Sequence, residues 1–479
     1  MHAQYRCSNL VYFSAEEKGV HTVLKASQPH NFLLTTVRGI PGKFNHDCAQ
    51  NPTNQNAPHS LSCRDLLSEK MGELEESAQF NYCIDVDWLM RQYPEKFRGL
   101  PLLLVHGDKG ENEKQLEAQC EAHPNVELCR GELPIPFGTH HTKMMLLKYA
   151  AGLRVVVTTA NLVQQDWHQK TQGMWVSPLL PPLEKTVGLQ KSRTNFREDL
   201  VEYLAAYKKV KLQRWVAIVN SHDFSRVNVA LVASVPGSKE ASTARWGHLK
   251  LRRLLASHVI KTDPSWPVVG QFSSIGSMGK DKDSWLCGEL LTSFASCKGN
   301  TGPRKLPNIK LVFPSVDDVR CSLEGYPAGG SIPYTKATAD KQPWLADFMH
   351  RWESPHCGRT HAAPHIKSYM RYSPFASNLR CPWFLLTSAN LSKAAWGSLD
   401  RTGKSLMIRS YEMGVLFLPK FVLGEKHLHF KLCTSQEEGF PVPIKIPPTP
   451  YVSGEDEPWV WNAPHADAPD RYGNVWVPS

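Results

Sequence analysis

Two short motifs with the same residue types occur once in each half of the chain. Each is a His-x-Lys triplet followed, after an apolar run, by an asparagine: His141, Lys143 and Asn161 in the first copy, and His365, Lys367 and Asn390 in the second. Side chains two apart in an extended segment point the same way, so each copy offers an imidazole beside an ammonium group. Two such sets brought together would surround one tetrahedral anion with two cations and two amides. These residue types suit phosphoryl transfer from a phosphodiester.

A single His-x-Lys triplet carries little information, because a pattern this short arises by chance and a lone histidine is usually structural. The two copies share more than the triplet. HTKMMLL precedes RVVVTTANL in the first half, and HIKSYM precedes WFLLTSANL in the second. Chance duplication of the whole unit is the weaker explanation, so the repeat predicts two similar halves that each supply one set.

Apolar runs alternate with helix-like segments along the chain. The runs include PLLLVHG, RVVVTTAN, VNVALVAS and PWFLLTSAN, and the helix-like segments include FREDLVEYLAAYKK and RWGHLKLRRLLAS. This alternation predicts an α/β fold of two pseudo-duplicated α-β-α sandwich halves with the active site between them. We expect a poorly ordered N-terminal lead-in at residues 1–29, a first half at residues 30–228 and a second half at residues 229–479.

The composition limits the classes of protein that remain. Lys and Arg total 55 against 45 Asp and Glu, and the net charge of +10 favours a polyanionic partner such as nucleic acid, although solvated basic helix faces explain it equally well. The 12 cysteines form no C-x-x-C pair, which argues against a zinc ribbon or a redox dithiol. No window reaches the roughly 18 apolar residues of a membrane span. We therefore expect no membrane partner, no metal and no cofactor.

At the two motifs the sequence resembles the phospholipase D superfamily and, within it, the tyrosyl-DNA phosphodiesterase family. The resemblance spans about residues 80–479 and includes THHTKMMLL, NLVQQDWHQKTQG, PHIKSYMR, TSANLSKAAWG and SYEMGVLFLP. The superfamily's general signature places an Asp five residues after the Lys, where this chain has Lys148 and Tyr372. That departure differs from the lipid-hydrolysing members and matches the DNA-repair branch.

The resemblance implies hydrolysis of DNA 3′-phosphotyrosyl bonds and other 3′ adducts, through a covalent phosphohistidine and leaving a 3′-phosphate. It implies that His141 is the nucleophile and that His365 is first the general acid and then the base. The branch's remaining catalytic positions match Gln172 and Glu412. Because an anionic neighbour favours an imidazolium, we expect Glu412 to contact His365 and Gln172 to contact His141.

The resemblance also implies substrate contacts outside the two motifs. The matching DNA-binding positions are Ser273, Ser274, Ser277, Ser392, Lys393 and Phe137, and the matching positions of the peptide or adduct groove are Tyr82, Pro333 and Trp461. A plain turn is the alternative for GQFSSIGSMG, and core packing is the alternative for Tyr82 and Trp461. The implied partners are single-stranded or end-frayed DNA with a 3′ adduct and a topoisomerase-derived peptide. We expect a monomer in the nucleus, with cytoplasmic or mitochondrial pools left open.

Two other functions compete with this interpretation. A general nuclease or phospholipase could use the same scaffold, but the missing Asp after each Lys and the lack of a lipid-binding segment argue against it. A DNA-binding scaffold without activity would need a damaged histidine or lysine. Both triplets are intact.

Overall fold

A computed structural model describes residues 19–40, 60–184, 192–303, 305–375, 379–432 and 439–478 of the chain. Its first large sheet has eight strands, in the order β2-β1-β8-β7-β6-β3-β4-β5. The strands are β1 (Phe32–Thr35), β2 (Ser60–Leu61), β3 (Leu74–Phe80), β4 (Leu102–His106), β5 (Val126–Arg130), β6 (Met144–Tyr149), β7 (Gly152–Thr158) and β8 (Gly173–Val176). Strands β3, β4 and β5 run parallel, whereas β6, β7 and β8 pair antiparallel.

A second large sheet and two small sheets account for the other strands. These are β9 (Val229–Ser234), β10 (Gly237–Glu240), β11 (Val268–Gln271), β12 (Ile309–Val312), β13 (Met349–His350), β14 (Ser368–Arg371), β15 (Arg380–Cys381), β16 (Trp383–Thr387), β17 (Ser398–Leu399), β18 (Ser405–Ile408), β19 (Glu412–Phe417) and β20 (Phe430–Lys431). The large sheet has the order β13-β12-β11-β14-β16-β19-β9, and the small sheets join β10-β18-β17 and β15-β20.

The two large sheets repeat one arrangement of strands. The order β8-β7-β6-β3-β4-β5 in the first corresponds to β19-β16-β14-β11-β12-β13 in the second, with the same parallel and antiparallel pairings. Each His-x-Lys triplet precedes a matching strand, β6 or β14, and each asparagine follows β7 or β16. The duplicated α/β fold predicted from the repeat is confirmed.

Helices fill the connections between strands. They are α1 (Val20–Ala26), α2 (Cys63–Leu66), α3 (Val86–Gln92), α4 (Glu111–Cys120), α5 (Gln164–His168), α6 (Phe196–Ala206), α7 (Val210–Asn220), α8 (Gly247–His258), α9 (Leu291–Phe294), α10 (Val316–Arg320), α11 (Lys336–Ala339), α12 (Lys393–Trp396) and α13 (Pro419–Val422). Along the described ranges, no helix is long and apolar enough to cross a bilayer.

Three large apolar clusters hold the layers together. Strand β7, GLRVVVT, is buried along its whole length, as expected for a β-branched strand covered on both faces. A central cluster joins the inner faces of the two large sheets through residues such as Val155 and Phe384, and it includes α6 and α7. The other two clusters pack helices α3 and α4 on the first sheet, and α8 and α9 on the second. The two halves therefore share one core, which brings their His-x-Lys triplets together.

The described part of the N-terminal segment, residues 19–29, differs from the prediction of a poorly ordered lead-in at residues 1–29. Helix α1 lies within it, and Val20, Val23 and Leu24 are buried against the outer face of the first sheet. The apolar spacing of these three residues allows one helix face to pack. Residues 1–18 lie outside the described ranges.

Candidate active site

Both His-x-Lys triplets lie just before a strand, in extended segments that the sheet still holds. Strand β6 begins at Met144 and strand β14 at Ser368, so each triplet ends immediately before its strand. The amide of Thr158 donates to Lys143 O at 3.1 Å, and that of Thr387 donates to Lys367 O at 3.1 Å. The neighbouring strand therefore orients each triplet in the same way.

Glu412, from the second half, contacts His141, from the first. The backbone of His140 forms a parallel bridge with Tyr411, in which the His141 amide donates to Tyr411 O at 2.9 Å. Glu412 follows directly, and its Oε2 lies 2.9 Å from His141 Nδ1. The hydroxyl of Ser388 donates to the same carboxylate oxygen. The nucleophilic candidate is thus oriented by a carboxylate from the opposite half.

Glycine is required where these two segments cross. A Cβ on Gly138 would lie 2.1 Å from the carbonyl oxygen of Arg409, far inside contact distance. The Thr139 amide next to it donates to the Ser410 hydroxyl at 3.1 Å. Backbone from the two halves can therefore approach closely enough for Glu412 to reach His141.

The reciprocal contact joins His365, from the second half, to residues of the first. Thr171 forms a parallel bridge with Pro364, and the His365 amide donates to Thr171 O at 3.0 Å. Gln172 follows, with its Nε2 and Oε1 atoms 3.0 and 3.2 Å from His365 Nδ1. Asp166 Oδ2 lies 3.3 Å from the same nitrogen.

The expected pairing of Glu412 with His365 and of Gln172 with His141 is therefore wrong. The physical reason is the pair of backbone bridges, each of which joins a His-x-Lys segment to the strand-entry segment of the other half. Gln172, immediately before β8, and Glu412, at the start of β19, thus each meet the histidine of the opposite half. Because these contacts occupy Nδ1 of each histidine, Nε2 is the ring nitrogen left for the space between the two His-Lys-Asn sets.

The two lysines are buried and share one electrostatic environment. Lys143 Nζ donates to His141 O at 3.0 Å, and Lys367 Nζ donates to His365 O. Burial lowers the pKa of Lys143 to about 8, with Glu412 opposing the change. Burial and the charge of Lys143 lower the pKa of Lys367 well below its usual value. An anion bound between the two ammonium groups would restore their charged forms.

The two positively charged lysines favour neutral histidines and an ionised Glu412. Burial lowers the pKa of His141, with Glu412 opposing it. Burial, followed by repulsion from Lys367 and Lys143, lowers the pKa of His365 well below its usual value. Burial alone would raise the pKa of Glu412, but the His141 contact and the Ser388 hydrogen bond bring it below its usual value. Glu412 is therefore an ionised carboxylate beside a neutral imidazole at neutral pH.

The two asparagines are held differently. The amides of Ser273 and Ser274 donate to Asn390 Oδ1 at 3.1 and 3.0 Å. In the first half Asp166 Oδ2 instead accepts from the Asn161 backbone amide at 2.7 Å, and Asn161 Oδ1 is buried without a hydrogen-bond partner among the described residues. Asp166 is not among the residues predicted from the sequence. Aligning NLVQQDW with NLSKAAW would have revealed it, because the second copy has alanine at that position.

The residues assigned to DNA and to the adduct groove lie on two sides of this site. Phe137 and Tyr82 line one cavity of about 590 Å³, and the Tyr82 ring centroid lies 5.4 Å from that of His141. On the other side, Ser274 donates to Pro333 O at 2.8 Å, and the next residue, Tyr334, accepts from the Trp461 amide at 3.1 Å. The candidate DNA contact Phe137 therefore shares a cavity with the candidate groove residue Tyr82, and the candidate DNA contact Ser274 meets the candidate groove residue Pro333.

The remaining predicted contact residues vary in exposure. Ser273 is buried, Ser277 is exposed, and Ser392 and Lys393 are partly buried at the start of α12. The Ser392 hydroxyl accepts from the Ala395 amide and so caps the helix. Tyr82 and Trp461 are 42% and 39% exposed, which rules out full burial in the core for both. Within the described residues, no group of three or more His, Cys, Asp or Glu side chains could hold a metal ion.

Two converging His-Lys-Asn sets, at the join of duplicated α/β halves, define a phosphodiesterase of the phospholipase D type. A family model described as tyrosyl-DNA phosphodiesterase matches residues 32–452. Tyrosyl-DNA phosphodiesterase 1 of Drosophila melanogaster is 39% identical over 458 residues, which cover 93% of this chain and 76% of that protein. The chain belongs to the tyrosyl-DNA phosphodiesterase family.

One further relative supports this assignment, and a solved structure has the same fold. Tyrosyl-DNA phosphodiesterase 1 of Arabidopsis thaliana is 34% identical over 498 residues, covering 94% of this chain and 76% of that protein. The crystal structure of the yeast tyrosyl-DNA phosphodiesterase has a TM-score of 0.65 at 19% identity and covers 90% of this chain and 99% of that chain. The yeast enzyme therefore has the same fold.

Proposed function

We propose that the protein hydrolyses phosphodiester bonds between DNA 3′ ends and tyrosine, and other 3′ adducts, and leaves a 3′-phosphate. The observation that carries this proposal is the reciprocal crossing of the two halves, which orients both histidines through Nδ1. Two Nε2 atoms then remain for opposite sides of one phosphorus atom. In-line displacement needs this arrangement of a nucleophile and a proton donor.

The first step transfers the DNA 3′-phosphoryl group to His141. His141 Nδ1–H donates to Glu412, so the lone pair on Nε2 attacks phosphorus while the bond from phosphorus to the tyrosyl oxygen breaks. His365 Nε2–H gives its proton to the departing phenolate oxygen. Glu412 also stabilises the positive charge that develops on the His141 ring. The products are free tyrosine or peptide and a covalent phosphohistidine on DNA.

The second step releases the DNA. His365, now neutral, accepts a proton from water, whose oxygen attacks phosphorus while the bond to His141 Nε2 breaks. Burial and the two lysines lower the pKa of His365 in the free site. Asp166, 3.3 Å from His365 Nδ1, partly offsets them and favours the imidazolium needed at the start of each cycle. The negative charge of the bound phosphodiester acts in the same direction. Asp166 thus supplies the anionic neighbour of His365 that was expected from the sequence to be Glu412.

Charge stabilisation in both steps comes from the protein. Lys143 and Lys367 approach the non-bridging oxygens from the two halves, and the asparagines add amide donors. This arrangement provides the electrostatic role that divalent ions have in many nucleases, so we infer a reaction that needs no metal.

The substrate we infer is single-stranded or end-frayed DNA with a topoisomerase-derived peptide on its 3′ end. The exposed Phe137 and Ser277, with Ser392 and Lys393, are the candidate DNA contacts, and Pro333 and Trp461 are candidate contacts for the adduct. A monomer suffices, because one chain supplies both sets. We infer a nuclear location from the removal of DNA adducts, and cytoplasmic or mitochondrial pools are left open.

The test uses a 5′-labelled single strand that carries a 3′-phosphotyrosine, with millimolar EDTA. We expect complete conversion to the 3′-phosphate strand, no conversion by His141→Asn, and ordinary activity in the control variant His427→Asn, whose side chain is exposed. Activity that is lost with EDTA and restored by a divalent ion would reject the mechanism. Faster hydrolysis of phosphatidylcholine than of the oligonucleotide would favour a phospholipase instead.

A further inference from the structure

A chain of buried polar groups runs behind the first His-x-Lys triplet. Tyr203 lies in the last turn of α6, and Tyr207 follows the end of that helix. The Tyr207 hydroxyl lies 2.9 Å from His140 Nε2 and 2.8 Å from the Tyr203 hydroxyl. The Tyr203 hydroxyl lies 2.5 Å from Thr142 Oγ1. His140 and Thr142 flank His141 in the sequence. These hydrogen bonds therefore hold the backbone segment that carries His141.

Only one order of protons satisfies every member of the chain. His140 Nδ1 lies 2.9 Å from Asn81 O, and a carbonyl oxygen can only accept, so Nδ1 carries the hydrogen. Burial lowers the pKa of His140 to about 4, which leaves Nε2 as an acceptor at neutral pH. Tyr207 must therefore donate to Nε2, Tyr203 to Tyr207, and Thr142 to Tyr203. A buried network with a single proton order holds its members rigidly.

Tyr207 also contacts the segment that arrives from the other half. Its ring stacks on that of Tyr411, with centroids 4.3 Å apart and planes 15° apart. Tyr411 precedes Glu412, and its amide donates to Thr139 O at 2.9 Å. Tyr207 therefore holds both sides of the backbone crossing, the first through its hydroxyl and the second through its ring.

We propose that Tyr207 is a positioning residue: it holds the crossing that sets Glu412 against His141 Nδ1 and thereby aims His141 Nε2 at the phosphorus. Tyr207 touches neither substrate nor reacting atoms. The inference rests on the proposed function, in which His141 is the nucleophile. Its energetic basis is alignment, since displacing a reacting group by about 1 Å can cost about a hundredfold in rate.

The variant Tyr207→Phe keeps the ring stack and removes the donor to His140. We expect quenched-flow rates of DNA–His141 adduct formation to fall about tenfold to a hundredfold, with KM within about twofold. The control is Tyr93→Phe, which removes another buried hydroxyl, bound by Ser77 and Gln79 in the cluster on the outer face of the first sheet. We expect the control to react like the unmodified protein.

The pH profile of adduct formation separates positioning from a merely structural role. Glu412 raises the pKa of His141, whereas Lys143 and Lys367 lower it. A looser Glu412 contact lowers that pKa, and attack needs the neutral imidazole. The acid limb should therefore move to lower pH in Tyr207→Phe and stay in place in Tyr93→Phe. If folded Tyr207→Phe shows an unchanged rate of adduct formation and an unchanged acid limb of the pH profile, the proposal is overturned.

A measurement on the unmodified protein covers the case in which Tyr207→Phe does not fold. In ¹⁵N-histidine spectra at pH 6, His140 should be neutral and protonated on Nδ1, and a charged or Nε2-protonated His140 overturns the proposal. The two hypotheses fail differently. If the unmodified protein forms no adduct on His141, the proposed function fails. If it forms that adduct normally and Tyr207→Phe does so equally fast, only the role of Tyr207 fails.

Discussion

Lys143 and Lys367 are an unfavourable pair until an anion arrives. Both ammonium groups are buried, and each is close enough to lower the pKa of a partner group in the site. A phosphate between them changes repulsion into two attractions. The site is therefore organised for a substrate that brings its own negative charge, and its affinity should depend on whether the lysines are charged.

Anion binding should weaken as pH rises above 8. The pKa of Lys143 is lowered to about 8, so above that pH the free site must take up a proton to bind an anion. Linkage then predicts that the affinity for a 3′-phosphorylated dinucleotide falls at least about tenfold per pH unit between pH 8.5 and 9.5. In Lys143→Arg the guanidinium stays protonated, so the slope of log affinity against pH should become shallower by about one. Calorimetric titrations measure both, and equal slopes would contradict the assignment.

The two histidines should fail in different ways when replaced. A tyrosyl phenolate, with a reference pKa near 10, leaves with limited proton help, whereas water is a poor nucleophile without a base. His365→Asn should therefore accumulate a DNA adduct on His141, visible on denaturing gels with a labelled 3′-phosphotyrosyl strand. His141→Asn should form none. An adduct on His365 in the His141 variant would reverse the roles.

The residue types of the site could be predicted from the sequence, but not all of their contacts. The repeated His-x-Lys and asparagine positions identify both sets because the same residue types occur at matching positions in the two halves. Which half supplies the neighbour of each histidine depends on backbone bridges between residues 139–141 and 411 and between 171 and 364–366. No local pattern shows such long-range pairing, and the predicted partners of Glu412 and Gln172 were exchanged for that reason.

At the scale of elements, the shared core decides whether the site exists. Phe32 of β1, in the first sheet, has its ring centroid 5.4 Å from Phe384 and 6.0 Å from Phe417, both in the second sheet. The matching strand orders follow from the repeat and were predictable. The close approach at Gly138 was not, because it depends on the carbonyl of Arg409, far along the chain.

Removing an aromatic ring from the shared core should destabilise both halves together. Phe32→Ala should lower the free energy of unfolding by about 3–5 kcal/mol, because it loses buried area and leaves a cavity. Phe375, which is 63% exposed, gives a matched control, and Phe375→Ala should change stability by about 0.5 kcal/mol or less. Urea unfolding followed by tryptophan fluorescence measures both. Equal effects would contradict a core shared by the sheets.

At the scale of the whole molecule, duplication has produced one asymmetric site from two similar halves. The two triplets and their strands are equivalent, but Glu412 corresponds in position to Gln172, and Asp166 corresponds to Ala395. One histidine consequently faces a carboxylate directly, while the other faces an amide with a carboxylate slightly farther away. This difference lets two imidazoles take unequal roles on opposite sides of one phosphorus.

The net charge of +10 should make DNA binding strongly salt-dependent and nearly independent of sequence. Phosphate contacts carry no base information, and each one releases counterions, so log K should fall linearly with log salt concentration. Binding of several unrelated single strands between 50 and 200 mM salt, measured on His141→Asn by fluorescence anisotropy, should give parallel lines within a few-fold of one another. Lys393→Ala should reduce the slope by about 0.7, the value for one phosphate of a single strand. Lys114→Ala, an exposed lysine beside Glu111, should not change it. A flat salt response, or a large preference for one strand, would show that DNA is held by contacts other than its phosphates.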